Sequence, residues 1–436
     1  MAKRIAEGVE RSTSVRHGRL HRSSSWGNAL RVLLTAAIVV TLSGVATAAY
    51  AVWGLVSDVR TVDLGAQAKA VGAGDQTING DLAVLLVGSD TRQGQAYQDG
   101  EEGELNDVNL LLYVSADHKN ATVVSFPRDL MLPIPSCTAP DGTQYPAMSE
   151  QQLNSAMTYG GLPCVASTIS ELTGMNIPNA ALITFDGVIG VSNAIGGVDV
   201  CLTQPIVDEK TGLDLPAGMN TLVGWDALQF LRTRYGVGDG GDTSRISNQQ
   251  VFMSSLVREL KSAETLSDPV KVYGLAKAGV DNMTLSSNMA SVEFMQRVAS
   301  TVRDIDLNRI NFVQYPSFSH PYAEGKLTPD YTSGQLLFDV LKSGKPITVT
   351  GTGEGVVKEG EGQPADPNAP VDPNAPVDPN APTDPNAPAD PNAPTDPTPS
   401  TGPTPSTGPD GSVVLPDRIT GTTPAVATCS AGRTVP

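Results

Sequence analysis

The sequence predicts an α/β domain in which helices cover a central sheet, and three observations predict it. Short, nearly unbroken apolar runs of strand length end in turn residues. Segments of helical spacing alternate with them along the chain. Both kinds of segment fall between about residue 81 and residue 348, a stretch long enough to bury a substantial core.

Taken in order, Leu82–Gly88 (LAVLLVG) reads as a buried strand, and Val108–Ala116 (VNLLLYVSA) and Ala121–Pro127 (ATVVSFP) as two more. Asp117-His118-Lys119-Asn120 makes the hairpin turn between the last two. Residues 149–173 carry apolar side chains at helical spacing, with an interruption around Gly160–Pro163. Residues 181–202 read as strand, helix and strand. Residues 243–262 and 288–303 read as helices, and 309–316 (RINFVQYP) as a strand.

The flanks have different compositions. Residues 1–31 hold seven Lys or Arg against Glu7 and Glu10, a local charge of +5 in a chain whose total is −17. The remainder is therefore at −22, and binding of nucleic acid is disfavoured because phosphate contacts need a basic face. Residues 32–56 then run for 25 residues without a charge, long enough to span a bilayer as a helix. Tyr50 and Trp53 suit the interfacial belt, and the basic leader suits the cytoplasmic side. The competing reading is a cleaved signal peptide with its site at Ala46-Thr47-Ala48, but the apolar run continues past that point. On either reading the rest of the chain is expected outside the cell membrane, with residues 57–80 as a small, polar stalk.

After the domain, residues 349–410 are expected to form a Pro-rich linker and 411–436 a C-terminal segment. Nineteen of the 33 prolines lie at or beyond Pro364, and DPNAP hexads start at Asp366, Asp372, Asp378, Asp384 and Asp390. Prolines recur every third residue from Pro367 to Pro397. That composition forms no packed core and suits a solvated polyproline II rod reaching roughly 95 Å. Cys429, near the chain end, suggests that this end folds back.

The cysteine and histidine inventory excludes several chemistries. Four cysteines with no CxxC pair, and only His118 and His320 beyond the leader, make a His/Cys zinc site or a Ser-His-Asp enzyme improbable. Four other clusters stand out. They are Gly88-Ser89-Asp90-Thr91-Arg92 past the first strand, Asn106-Asp107 opening the second, Phe126-Pro127-Arg128-Asp129 ending the third, and Phe230–Tyr235 followed by Gly241–Gln250. Arg232 and Arg234, two apart, would share one side of an extended segment. With Arg128 they could hold a phosphate or pyrophosphate. Asp90 and Asp107 offer hard oxygen ligands of the kind Mg²⁺ takes alongside substrate phosphates.

In combination these clusters resemble the LytR-CpsA-Psr phosphotransferases of Gram-positive cell walls. The matching elements are LLVGSDTR, ND at a strand start, SFPRD, LNSAMTYGG (153–161), ELTGMNI (171–177), AIGGVDV (194–200), GWDALQFLRTRY (224–235) and GGDTSRISNQQ (240–250). The resemblance implies a single domain with a central mixed sheet, an N-terminal anchor and an external catalytic face. It implies transfer of a glycopolymer, with its linking phosphate, from a polyprenyl-pyrophosphate carrier to peptidoglycan. Carried over by motif, Asp90 and Asp107 would hold Mg²⁺. Arg92, Arg128, Arg232 and Arg234 would neutralise the pyrophosphate, Gln249 would add a polar contact, and Asp242 and Arg245 would support them. The polyprenyl chain would need an apolar tunnel. Where the family often has Arg-Gln-Gln, this chain has Asn248-Gln249-Gln250, which removes one possible phosphate contact.

Two further readings stand beside this one. A non-catalytic wall module could bind polyprenyl phosphates through the same arginines, although pure binding would need no metal pair. A membrane-bound transcriptional attenuator would have to contact DNA through the leader alone, which the positive-inside rule explains more simply. An oxidising exterior suits disulfides among Cys137, Cys164, Cys201 and Cys429, with three pairings open.

Overall fold

In the computed structural model, the described residues are 59–65, 80–90, 105–139, 141–262, 268–359, 405–409 and 411–433, with scattered positions between 26 and 54. The principal sheet contains β1 (Arg60–Val62), β2 (Leu82–Ser89), β3 (Asn106–Val114), β4 (Ala121–Ser125), β5 (Asn179–Ile183), β8 (Met283–Ser286), β9 (Ile310–Gln314) and β11 (Gly421–Thr422). Their order is β1-β8-β5-β2-β3-β4-β9-β11. Three pairs are parallel (β1/β8, β5/β2, β4/β9) and the other four antiparallel, so the sheet is mixed, as expected.

The apolar runs of β2 and β3 follow from burial on both faces. Alternate residues serve opposite sides. Leu85, Val87 and Leu111 join a core with α1 (Ala156–Thr173) and α7 (Tyr331–Lys342), whereas Val84, Leu86 and Leu112 face α4 (Asp242–Lys261) and α6 (Val292–Asp304). The interruption expected in α1 is real: Gly160 and Gly161 leave helical geometry, and a Cβ on Gly160 would stand 2.8 and 2.9 Å from the Cβ atoms of Cys164 and Cys137. Those two cysteines form one disulfide.

A second sheet pairs β6 (Val198–Leu202), β7 (Gly218–Leu222), β10 (Val356–Lys358) and β12 (Thr428–Ser430) in the order β7-β6-β12-β10. Val198, Val200 and Leu202 pack against α3 (Trp225–Arg232) and α4. The other disulfide, Cys201–Cys429, joins the adjacent parallel strands β6 and β12. Two further helices, α2 (Phe185–Ile195) and α5 (Pro269–Asn282), pack on each other beside this assembly.

The domain is therefore wider than residues 81–348. β1 comes from the segment read as stalk. It joins the sheet because its backbone groups pair in register with Thr284, Leu285 and Ser286. At the other end, residues 356–358, 421–422 and 428–430 supply strands to both sheets, so 411–433 belongs to the domain. The expected span 32–56 and the hexad run lie almost wholly outside the described residues. Among the described residues no helix is long and apolar enough to cross a membrane.

Candidate functional site

The C-terminal ends of β2, β4 and β5 and the N-terminal ends of β3 and β8 lie along one edge of the principal sheet. The residues singled out from the sequence gather there. The β2/β3 register slips between Gly88 and Ser89, where a Cβ on Gly88 would stand 2.9 Å from that of Val108. Pairing resumes at Ser89 and Asn106, and the bulge re-aims the chain into Asp90. Asp90 accepts a hydrogen bond from the Leu105 N–H at 2.8 Å. Asp107 follows Asn106, whose side-chain oxygen accepts from the Met157 N–H at the start of α1. One residue of the pair thus locks a helix, and the other faces the cavity.

β4 ends at Phe126-Pro127, and Arg128 emerges directly afterwards. Its Nη1 donates to Asp107 Oδ1 at 2.7 Å, and its backbone N–H donates to Asp242 Oδ2 at 3.0 Å. Its Nε lies 3.6 Å from Asp242 Oδ1. Burial disfavours the guanidinium charge, but Asp107 and Asp242 outweigh that and raise the Arg128 pKa. Asp242 is the mirror case. Burial opposes its charge, yet Arg245 and Arg128 hold its carboxyl below the usual range. It sits in the first turn of α4, where the helix dipole also favours an anion. Arg245, one turn on, donates to Asp242 through Nε and Nη2 at 3.0 and 2.6 Å, and to the Asp107 carbonyl at 2.9 Å.

Arg232 and Arg234 do not share an extended segment. Arg232 is the last residue of α3, and the chain leaves helical geometry at Thr233, whose ψ is 134°. The helix forms because Ala227, Leu228 and Phe230 bury one face of it. The Arg232 guanidinium stacks over the Phe185 ring at 4.6 Å. Arg234 approaches Asp129 at 3.5 Å. Both still line the same cavity. Gln249 lines it as well, but its amide donates to the Leu231 carbonyl at 2.8 Å, and Asn248 donates to the Phe230 carbonyl at 3.0 Å. These two side chains tie α4 to the last turn of α3, and this is the local use of the position where the family often has arginine.

The cavity holds about 440 Å³. Leu86, Leu110, Ile183, Val188, Phe252 and Phe312 are among its apolar walls, and its polar lining carries Arg128, Lys210, Arg232, Arg234 and Arg245 with Asp107. Asp242 pairs with Arg128 and Arg245, and Asp129 with Arg234, so part of this charge is already balanced. The cations still outnumber Asp107, Asp129 and Asp242, and an anion is the fitting occupant. The Nε atoms of Arg128 and Arg234 are buried without a hydrogen-bond partner among the described residues. Among the described residues no group of three or more His, Cys, Asp or Glu side chains could hold a metal. Asp90, just past the end of β2, and Asp107, in β3 and lining the cavity, are two oxygen donors, a number that suits Mg²⁺ completed by waters and phosphate oxygens. Arg92 lies outside the described residues.

Sequence reasoning missed Lys210, Asp129 and Asp208. Asp129, quoted only as part of a motif, is buried and receives Lys326 Nζ at 2.9 Å besides Arg234. Asp208 is 2 % exposed and accepts from Thr233 Oγ1 at 2.6 Å and from the Arg234 N–H at 3.3 Å. It fixes the turn from which Arg234 projects, a pairing across 25 residues of sequence that no local pattern announces. Asp208→Ala should leave the Thr233 hydroxyl and the Arg234 amide unpaired. We expect a loss of about 1–3 kcal/mol in guanidinium denaturation.

Residues 57–333 of the 436 match the model of the LytR_cpsA_psr family. Among curated proteins, the chain is 26% identical over 306 residues to cell wall biosynthesis protein LcpA of Corynebacterium glutamicum, covering 63% of this chain and 58% of that protein. It is 24% identical over 262 residues to the polyisoprenyl-teichoic acid–peptidoglycan teichoic acid transferase TagV of Bacillus subtilis, covering 58% of this chain and 64% of that protein. The chain thus spans somewhat more than half the length of these relatives. The fold is similar to that of the solved protein gbs0355 from Streptococcus agalactiae, with a TM-score of 0.50 at 19% identity over 61% of this chain and 89% of that one. With the family model matched over well more than half of its length, the chain belongs to the LytR-CpsA-Psr family.

Proposed function

We propose that this protein transfers a glycopolymer, with its linking phosphate, from a polyprenyl-pyrophosphate carrier to a hydroxyl of peptidoglycan. The observation that carries the reading is one cavity with two kinds of lining, apolar side chains and five cations. A polyprenyl chain matches the first kind and a pyrophosphate the second. The transferase name borne by TagV supports the same reaction class.

In this reaction the acceptor oxygen forms a bond to the phosphorus that bears the glycan. The bond from that phosphorus to the bridging oxygen breaks, polyprenyl phosphate leaves with the electron pair, and the hydroxyl proton passes to a base. Catalysis of this kind needs positioning and charge neutralisation more than a protein nucleophile. Arg128, Arg232, Arg234 and Lys210 hold the diphosphate, while Asp242 and Asp129 hold Arg128 and Arg234 in place. Asp90 and Asp107 are the residues that would hold Mg²⁺, which when bound neutralises charge on the diphosphate oxygens. The basic leader and the charge-free run 32–56 support a single membrane anchor with the domain outside. The two disulfides support an oxidising compartment.

The test is a transfer assay with the whole chain, a short polyprenyl-pyrophosphate-linked saccharide and peptidoglycan oligomers, following polyprenyl phosphate release. Mg²⁺-dependent transfer, abolished by EDTA and lowered about 10³-fold or more by Arg232→Ala/Arg234→Ala, is the expected result. Tight binding of the lipid without turnover would replace the enzyme by the binding module.

A further inference from the structure

The residues that complete the site's scaffold include a segment beyond the family match, which ends at residue 333. The loop 233–241 connects α3 to α4, carries Arg234 and delivers the chain into Asp242. Its outer side rests on the chain end. The Gly238 N–H donates to the Gly432 carbonyl at 2.7 Å, and Arg433 Nη1 donates to the Tyr235 carbonyl at 2.7 Å.

The contact is too close for side chains. Gly238, Gly355 and Gly432 all have positive φ, and a Cβ on Gly355 would stand 3.2 Å from the Gly238 backbone. A Cβ on Gly238 would meet Ser244 of α4 at 2.3 Å, and one on Gly353 would meet Ser247 at 2.0 Å. The backbones of 353–355 and 432 therefore form a floor directly under the loop and the first turns of α4. Those turns hold Asp242, Arg245 and Gln249. The floor is itself anchored: β12 lies between β6 and β10, Ala431 N–H donates to the Gly355 carbonyl, and Cys429 is bonded to Cys201.

We propose that residues 428–433 are a clamp that sets the arginine loop, with Arg433 as a positioning residue acting through the Tyr235 carbonyl. Arg433 is not a cavity residue; it caps a carbonyl of the loop from which Arg234 reaches Asp129. The clamp itself is a statement about loop geometry. Only its consequence for ligand rests on the pyrophosphate-transfer reading. Without the clamp the loop keeps its hold on Asp208 but loses its outer support, so diphosphate affinity falls while the apolar part of the cavity is untouched.

The experiment uses the whole chain and two readouts. Hydrogen exchange without ligand, in Arg433→Ala, should accelerate about tenfold in peptides covering 233–241 and stay unchanged in β2 and β3. Geranylgeranyl pyrophosphate should bind about tenfold more weakly, with binding of geranylgeraniol unchanged and Tm within a degree or two of wild type. Arg433→Lys, which restores a donor, should recover part of both effects. Cys201→Ser/Cys429→Ser should accelerate exchange in 233–241 further, now with a global loss of stability that also reaches β2 and β3, so Arg433→Ala is the variant that decides the matter. Unchanged exchange in 233–241 overturns the clamp, as does an equal loss of both ligands together with a fall in Tm. Should wild type bind no prenyl pyrophosphate, the transfer reading fails, and the exchange data still decide the clamp.

Discussion

Replacing Asp242 by alanine is expected to destabilise the domain by about 3–5 kcal/mol and to abolish transfer. The carboxylate is 5 % exposed and is shared by three donors: two from Arg245 and the backbone N–H of Arg128. Its removal strands Arg245, itself 4 % exposed, without a counter-charge, and releases Arg128 from one of its three carboxylates. Asp242→Asn, which keeps the shape and loses the charge, should cost less. The sign of the pH dependence is fixed by the lowered pKa of Asp242, where two arginines outweigh burial. A carboxylate with a folded pKa below its unfolded value of about 3.9 stabilises fully above that value. The contribution disappears as pH falls through the folded pKa. The stability gap between wild type and Asp242→Asn should therefore be full at pH 7 and shrink as pH drops below about 4, as measured by guanidinium denaturation.

Loss of the Cys201–Cys429 bond should be the next largest effect. The two cysteines are 228 residues apart, and on the chain-entropy account closing a loop of that size contributes about 5 kcal/mol. The 27-residue Cys137–Cys164 loop contributes about 3.5 kcal/mol on the same account. Cys201→Ser/Cys429→Ser should therefore lower the guanidinium midpoint more than Cys137→Ser/Cys164→Ser does. A reversed order would mean that the unfolded chain already keeps its two ends together.

The parts of the fold legible in the sequence are those whose signal is local. β2, β3, β4 and β9 were visible as apolar runs because each is buried on both faces, and α4 because its apolar spacing persists over five turns. The kink at Gly160 was visible because glycine and proline interrupt a helix wherever they stand. The site was legible as a set of motifs, and the structure brings Asp107, Arg128, Arg232, Arg234, Arg245 and Gln249 around one cavity. What stayed hidden depends on distant partners. Arg232 and Arg234 looked like neighbours on a strand, but Ala227 and Phe230 are buried against the second sheet and make that segment helical. β1 and β11 have three and two residues, too short for a periodicity, and exist only because an edge of the sheet receives them. Asp208 and Asp129 are ordinary acidic residues in sequence and become structural anchors only when Thr233 and Lys326 arrive.

The Pro-rich repeat is not a free end. On one side Glu359 N–H bonds the Ala427 carbonyl, and on the other Ser406–Thr407 pairs with Val413–Val414, which pairs with Ile347–Thr348. In sequence the hexads thus fall between two fixed posts on one domain. Doubling the length of such a loop costs only about 0.6 kcal/mol in closure entropy. Hexads can therefore be gained or lost by unequal copying with the stability of the domain almost indifferent to their number, so that their copy number is free to vary separately from the chemistry.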